Sequence, residues 1–188
     1  MAKVTQPRIL GDQMGQLIKT AVFGIAAAAL GACAATVEAN GREASFVQEM
    51  ARLEGMRNAA YLDQAGIPTI CAGHTSDRRF PFAMGTVWSD QKCLEVLAHD
   101  LRQARHAVDT YVTVPLTEGQ RNALTSFAFN VGNGAFKNST LLQALNLGLY
   151  EDVPSELRRW NKVTVNGRKR VSQGLVNRRE AEIAMWFS

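Results

Sequence analysis

The stretch Glu54-Gly-Met-Arg-Asn-Ala-Ala-Tyr-Leu-Asp63-Gln-Ala-Gly-Ile-Pro-Thr69-Ile-Cys71-Ala-Gly-His74-Thr75 decides how this chain is read. Two carboxylates and a hydroxyl, Glu54, Asp63 and Thr69, fall on one short segment. Such a set can place an acid, an ionised partner and a held water around a single bond, which is the equipment that cleavage of a glycosidic linkage requires. The segment is also rich in Gly, Pro and β-branched residues, so residues 59–75 read as a small hairpin or sheet.

Upstream, Ser45 is positioned to cap a helix over residues 46–54, with Phe46, Val47, Met50 and Leu53 on one face. Residues 37–42 read as a linker, with Asn40-Gly41 as a turn. Downstream, helices dominate. Ser89 is placed to cap a helix over 90–108, in which Leu94, Leu97, Leu101, Ala104 and Val108 recur at helical spacing. Thr117-Glu-Gly-Gln120 is a capping box opening a helix through Phe129, and Ser139 opens another that stops near Gly148. Shorter helices are expected over 151–160 and 174–186. The fold class is therefore α+β, mostly helical, with one small β element near the candidate site.

The N-terminus has a different character. Lys3, Arg8 and Lys19 stand against Asp12, and the 18 residues from Thr20 to Val37 carry no charge. Eight of these are alanine and two glycine. As a helix the run would span roughly 27 Å, just short of a hydrocarbon core. Positive charge before it and Glu38 and Glu43 after it orient the remainder outward. Three export readings stay open: a cleaved signal with sites at Ala32-Cys-Ala34 or Val37-Glu-Ala39, a lipidated Cys33 in Leu30-Gly-Ala-Cys33, or an uncleaved anchor. A buried soluble helix is the remaining alternative. The division expected is a signal-anchor helix over residues 1–40 and an enzyme domain over 41–188.

Length, 188 residues, suits one domain plus a short appendage. The net charge of +4 suits a polyanion, and the absence of zinc-finger spacing or an aromatic RNA-binding signature argues against nucleic acid. Eight cations and no acid lie between Leu157 and Arg179, a run that reads as a solvated face or as attraction for an anionic polymer or lipid headgroups. His99 and His106 have no partner at metal-ligand spacing, so no metal and no cofactor is expected. Three cysteines, Cys33, Cys71 and Cys93, leave at least one thiol unpaired or exchangeable.

The quoted stretch resembles the phage-type lysozymes, the endolysin or muramidase family. Its Glu-Gly pair, the Asp eight residues past that glycine, and Thr69-Ile-Cys-Ala-Gly-His-Thr75 follow the family pattern. Gln120-Arg-Asn-Ala-Leu-Thr-Ser-Phe-Ala-Phe-Asn-Val-Gly132 resembles the family's central buried helix. Phe136 to Leu142, Leu157-Arg-Arg-Trp160 and Gly174 to Glu180 resemble later landmarks. The resemblance implies hydrolysis of the β-1,4 bond between N-acetylmuramic acid and N-acetylglucosamine in peptidoglycan, lysing the host at the end of a phage cycle. It implies Glu54 as general acid, Asp63 as ionised partner and Thr69 as holder of a water. His74 could serve catalysis but reads as a structural histidine bridging the Glu54 region, and Arg178 as a partner for a buried carboxylate such as Glu54. A non-catalytic wall-binding or lipid-anchored protein of the same fold is the alternative from another class.

Many members carry glycine where Cys71 stands. A signal-anchor-release subgroup has cysteine there and at the position of Cys93, and the shared pair implies a Cys71–Cys93 disulfide. Cys33 would remain free. Members with thiol-switch control carry a cysteine just after the Glu-Gly pair; Met56 and Arg57 occupy those positions here, so such control is not expected. The subgroup implies contact with the inner membrane through residues 20–37, residence on its periplasmic face before release, a functional link to a holin or pinholin, and a monomer.

Overall fold

The computed structural model describes residues 40–188 apart from Gln64 and Asn166. The anchor expected over residues 20–37, and most of the 1–40 division, lie outside the described residues. Helix α1 covers residues 40–54. It starts before Ser45, whose hydroxyl donates back to the Arg42 carbonyl at 2.8 Å instead of capping an N-terminus. The linker and turn expected at residues 40–42 are thus helical, because nothing in Gly41-Arg-Glu-Ala44 stops a helix once the Ser45 hydroxyl is satisfied internally.

Residues Phe46–Ser188 form one compact unit. Within it, α1 buries Phe46, Val47 and Met50 against Ala72, Leu97 and Leu101. Helix α1 is followed by β1 (Arg57–Leu62), β2 (Pro68–Cys71) and β3 (His74–Thr75), an antiparallel sheet in that order. Tyr61 pairs with Thr69, Leu62 with Pro68, and Thr69 in turn with Thr75.

The helical part follows the capping chemistry of the sequence. Helix α2 (Asp90–Tyr111) begins where Ser89 accepts the Lys92 amide, and α3 (Glu118–Val131) begins at a complete capping box between Thr117 and Gln120. Two to three residues more than expected join each helix at its C-terminal end. The middle of α3 is buried on every side: each residue from Ala123 to Ala128 is buried, the polar Thr125 and Ser126 included. The Phe127 ring meets Phe136 and Trp160 edge-on, with centroids 6.3 and 5.3 Å away. Gly119 lies where any Cβ would stand 2.5 Å from the Met185 carbonyl oxygen, so the first turn of α3 touches the end of the chain.

Around this axis sit α4 (Asn133–Lys137), α5 (Thr140–Asn146), α6 (Val153–Arg158) and α7 (Gln173–Trp186). Ser139 and Ser172 cap α5 and α7. An unexpected element is the hairpin of β4 (Lys162–Val165) and β5 (Arg168–Val171), antiparallel and exposed throughout. Among the described residues no helix is long and apolar enough to cross a membrane.

Cys71 and Cys93 are joined by a disulfide between β2 and α2, their Cα atoms 5.2 Å apart. Cys71 is the only non-glycine among the described residues with a positive φ, +56°. That left-handed conformation costs an L-residue about 1–2 kcal/mol and costs glycine nothing. A glycine would meet the backbone demand, and cysteine exchanges that ease for a covalent tie.

Candidate active site

Glu54 is the last residue of α1, and Gly55 follows with φ +72°, a value open to glycine without strain. The reversal halts the helix and leaves the Glu54 side chain at its end, where it keeps 18% exposure. Arg178, from the first half of α7, reaches it: Nη1 lies 2.6 Å from Glu54 Oε1. Oε1 accepts no well-aligned hydrogen bond, so the contact is an ion pair by proximity.

Beneath this pair lies a charge network. Arg178 Nε donates to Glu182 Oε1 at 3.2 Å, and its Nη2 reaches the carbonyl and hydroxyl of Ser126 on α3. The Ser126 hydroxyl donates to Glu182 at 2.9 Å. Arg179 Nε stands 3.0 Å from the other Glu182 oxygen, donates through Nη2 to Asn130, and lies over the Phe127 ring. Glu182 and Arg179 are fully buried. Burial pushes the Glu182 carboxyl up, against the pull of Arg179, Arg178 and Ser126, and burial pushes Arg179 down. The Glu182 carboxyl and the guanidinium groups of Arg178 and Arg179 thus share the interior behind the candidate acid Glu54.

Asp63 and Thr69 sit at the other end of the β1–β2 hairpin. Asp63 Oδ1 accepts the amides of Ala65 and Ile67, both at 2.8 Å, and fixes the turn. Its Oδ2 has no partner among the described residues. Thr69 is buried on β2 and donates its hydroxyl proton to the Ile67 carbonyl at 3.0 Å. One residue, Ile67, therefore locks both groups: its N–H holds Asp63 and its carbonyl orients Thr69. The Thr69 lone pairs are left to accept a hydrogen bond from water.

His74 does not bridge to Glu54. Its Nδ1 lies 2.9 Å from Asp100 Oδ2 and its Nε2 is 3.2 Å from the Phe80 carbonyl, inside a ring of Phe80, Phe82 and Trp88. The expected bridge fails because β3 turns the ring toward α2. Burial pushes the Asp100 carboxyl up, and the His74 charge opposes this. Beside this pair is a cavity of about 350 Å³ lined by Gly73, Thr75, Gln103, Phe129 and Asn133, and none of Glu54, Asp63 or Thr69 lines it. His99 is half-buried between Asp77 and Arg102. Arg102 can only donate, so His99 Nδ1 accepts and its proton sits on Nε2, facing Asp77 at 3.5 Å. Nδ1 thus takes a hydrogen bond and Nε2 stays near a carboxylate, and Asp77, His99 and Asp100 bring ligand atoms within 4.8 Å of one another.

Sequence reasoning named Arg178 but missed Glu182, Ser126, Arg179 and Asn130. The signal was present: three charges, at 178, 179 and 182, fall on the face of α7 that also carries Ile183 and Trp186 toward the core.

Comparison with known proteins now bears on this geometry. The phage lysozyme family model matches residues 51–182. The SAR-endolysin of Escherichia phage Mu is 40% identical over 139 residues, 74% of this chain and 77% of that protein. The endolysin of Acyrthosiphon pisum secondary endosymbiont phage 1 is 38% identical, covering 73% of this chain and 91% of its own length. Among solved structures, the muramidase domain of SpmX from Asticaccaulis excentricus superposes with a TM-score of 0.72 at 30% identity, over 77% of this chain and 95% of that one. The chain belongs to the phage lysozyme family. It is accordingly a lysozyme, an enzyme that degrades peptidoglycan.

Proposed function

We propose that the chain is a phage endolysin in which Glu54, Asp63 and Thr69 carry the hydrolysis of the β-1,4 bond between N-acetylmuramic acid and N-acetylglucosamine. The observation that carries this reading is the shared grip of Ile67 on Asp63 and Thr69, on the hairpin that follows Glu54 directly. Glu54 gives its proton to the leaving oxygen. Arg178 positions that carboxyl from behind through Nη1. Asp63 keeps one oxygen in the turn and turns the other toward the positive charge that develops on the sugar. Thr69 accepts a hydrogen bond from the attacking water, aiming the water's lone pair at the anomeric carbon; as that C–O bond forms and the glycosidic C–O bond breaks, the water's proton passes to the second Asp63 oxygen, and exchange with solvent restores both carboxyls.

Residues 1–40 act as a signal-anchor-release segment and residues 41–188 as the enzyme. Two relatives' names, SAR-endolysin from phages Mu and phiKMV, support that division. The apolar run at 20–37 would hold the enzyme on the periplasmic face of the inner membrane until a holin or pinholin dissipates the membrane potential. Alanine-rich composition makes exit feasible, since little apolar area leaves the lipid.

The deciding experiment measures turbidity loss of chloroform-treated Gram-negative cells with the wild type and with Glu54→Gln. Loss of a positioned general acid lowers the rate by about 10²–10⁴-fold. Lysis by Glu54→Gln at the wild-type rate would falsify the assignment.

A further inference from the structure

The β4–β5 hairpin has two faces of different character. Cross-strand partners are Lys162 with Val171, Val163 with Arg170, Thr164 with Lys169, and Val165 with Arg168. Lys162, Thr164, Lys169 and Val171 line a groove of about 800 Å³ together with Arg159 and Trp160. By the two-residue period of a strand, Val163, Val165, Arg168 and Arg170 share the opposite face. None of these four lines the groove, and the two valines are 40% and 45% exposed.

The cations of this region divide by partner: those of the helices are paired, and those of the hairpin, on both its faces, are not paired among the described residues. Arg158 is paired with Glu180, Arg159 with Glu156, and Arg178 and Arg179 with Glu54 and Glu182. Lys162, Arg168, Lys169 and Arg170 form no ion pair among the described residues. The outer face therefore sets two exposed valines beside two arginines that no carboxylate among the described residues neutralises.

We propose that the outer face of this hairpin, Val163, Val165, Arg168 and Arg170, docks on an anionic lipid bilayer. The valines enter the headgroup boundary, and the arginine stems lie along them with their guanidinium groups on lipid phosphates. Charge complementarity alone would also suit a wall polymer. The two valines, side by side on one strand face, favour lipid, because a water-swollen polysaccharide offers no apolar phase to receive them. A basic residue near an anionic surface strengthens partitioning by about 5-fold, so two arginines account for about 30-fold.

The test compares the full chain with Arg168→Gln/Arg170→Gln and with Arg168→Lys/Arg170→Lys. Each is partitioned between buffer and vesicles of phosphatidylglycerol with phosphatidylcholine, and between buffer and phosphatidylcholine vesicles. Any contribution of residues 20–37 is common to all three proteins and cancels. The glutamine pair is expected to bind anionic vesicles about 30-fold more weakly, to bind neutral vesicles unchanged, and to hydrolyse isolated sacculi at the wild-type rate. The lysine pair is expected to retain most of the binding. In Val165→Trp, brominated phosphatidylglycerol should quench fluorescence beyond the wild-type background, and added salt should abolish the extra quenching. Equal vesicle binding by the glutamine pair and wild type overturns the proposal, as does an equal loss in the lysine pair or an unquenched tryptophan. If the glutamine pair loses binding to sacculi and keeps binding to vesicles, the partner is the wall polymer and the proposal is wrong.

Discussion

Reducing the Cys71–Cys93 disulfide isolates the contribution of a single cross-link. The bond closes a segment with a sequence separation of 22 residues. The chain-entropy model gives about 3 kcal/mol for a loop of this size. For a chain of this length that corresponds to a fall of about 6–12 °C in the melting midpoint. Reduction keeps both sulfurs in the core, whereas Cys93→Ala also empties part of a fully buried site and should cost about 1 kcal/mol more. Cys71 ties β2 to α2 through this bond, so reduction should also loosen β2 two residues from Thr69. The assay is thermal unfolding of the full chain in mild detergent, with and without dithiothreitol, paired with hydrolysis of isolated sacculi. Melting of the reduced chain within about 1 °C of the oxidised chain would show that the cross-link does not constrain the unfolded state, and the reasoning fails.

Arg178→Met should lower stability by about 3–5 kcal/mol, since it strips a partner from Glu54 and from buried Glu182; urea unfolding measures it, and a loss below about 1 kcal/mol refutes the idea of a compensated network. Asp63→Asn keeps an oxygen for the Ala65 and Ile67 amides, so melting should shift little while sacculus hydrolysis falls about 10²–10³-fold; comparable losses in both would make Asp63 a turn residue only. Asp77 is held below its usual carboxylate range by the Phe80 amide and then the Arg79 amide. Its stabilisation is therefore present above pH about 4, where the unfolded group ionises, and is lost as pH falls through the lower folded value. The melting difference between wild type and Asp77→Asn should shrink as pH drops below about 4, and a difference that grows instead contradicts the sign.

The helices were legible because their start signals act locally. Ser89, Thr117 and Ser139 cap the helices assigned to them, since a cap needs only its own first turn. Ser45 misled because the same hydroxyl can turn back into an existing helix, and nothing nearby distinguishes the two uses. The β4–β5 hairpin was overlooked although Val163-Thr-Val165 alternates and Asn166-Gly167 is a turn dipeptide; the run of cations drew attention to charge and away from period. Glu54, Asp63 and Thr69 were visible as a spaced motif. The support behind Glu54 was not, because Ser126, Asn130 and Glu182 lie 72, 76 and 128 residues after it in sequence and meet only through packing. His74 shows the same limit: its type suggested a buried bridge, and only the orientation of β3 selects Asp100 as its partner.

Glu54 and the three ionisable groups behind it constrain how this enzyme can drift. Replacing Arg178, Arg179 or Glu182 by an uncharged residue strips a partner from a group left in the interior, so change at one of these positions has to be matched by change at another. Variation in descendants of this chain should therefore be correlated at these sites: substitutions there would appear as pairs or not at all, while the flanking exposed positions of α7 diverge freely.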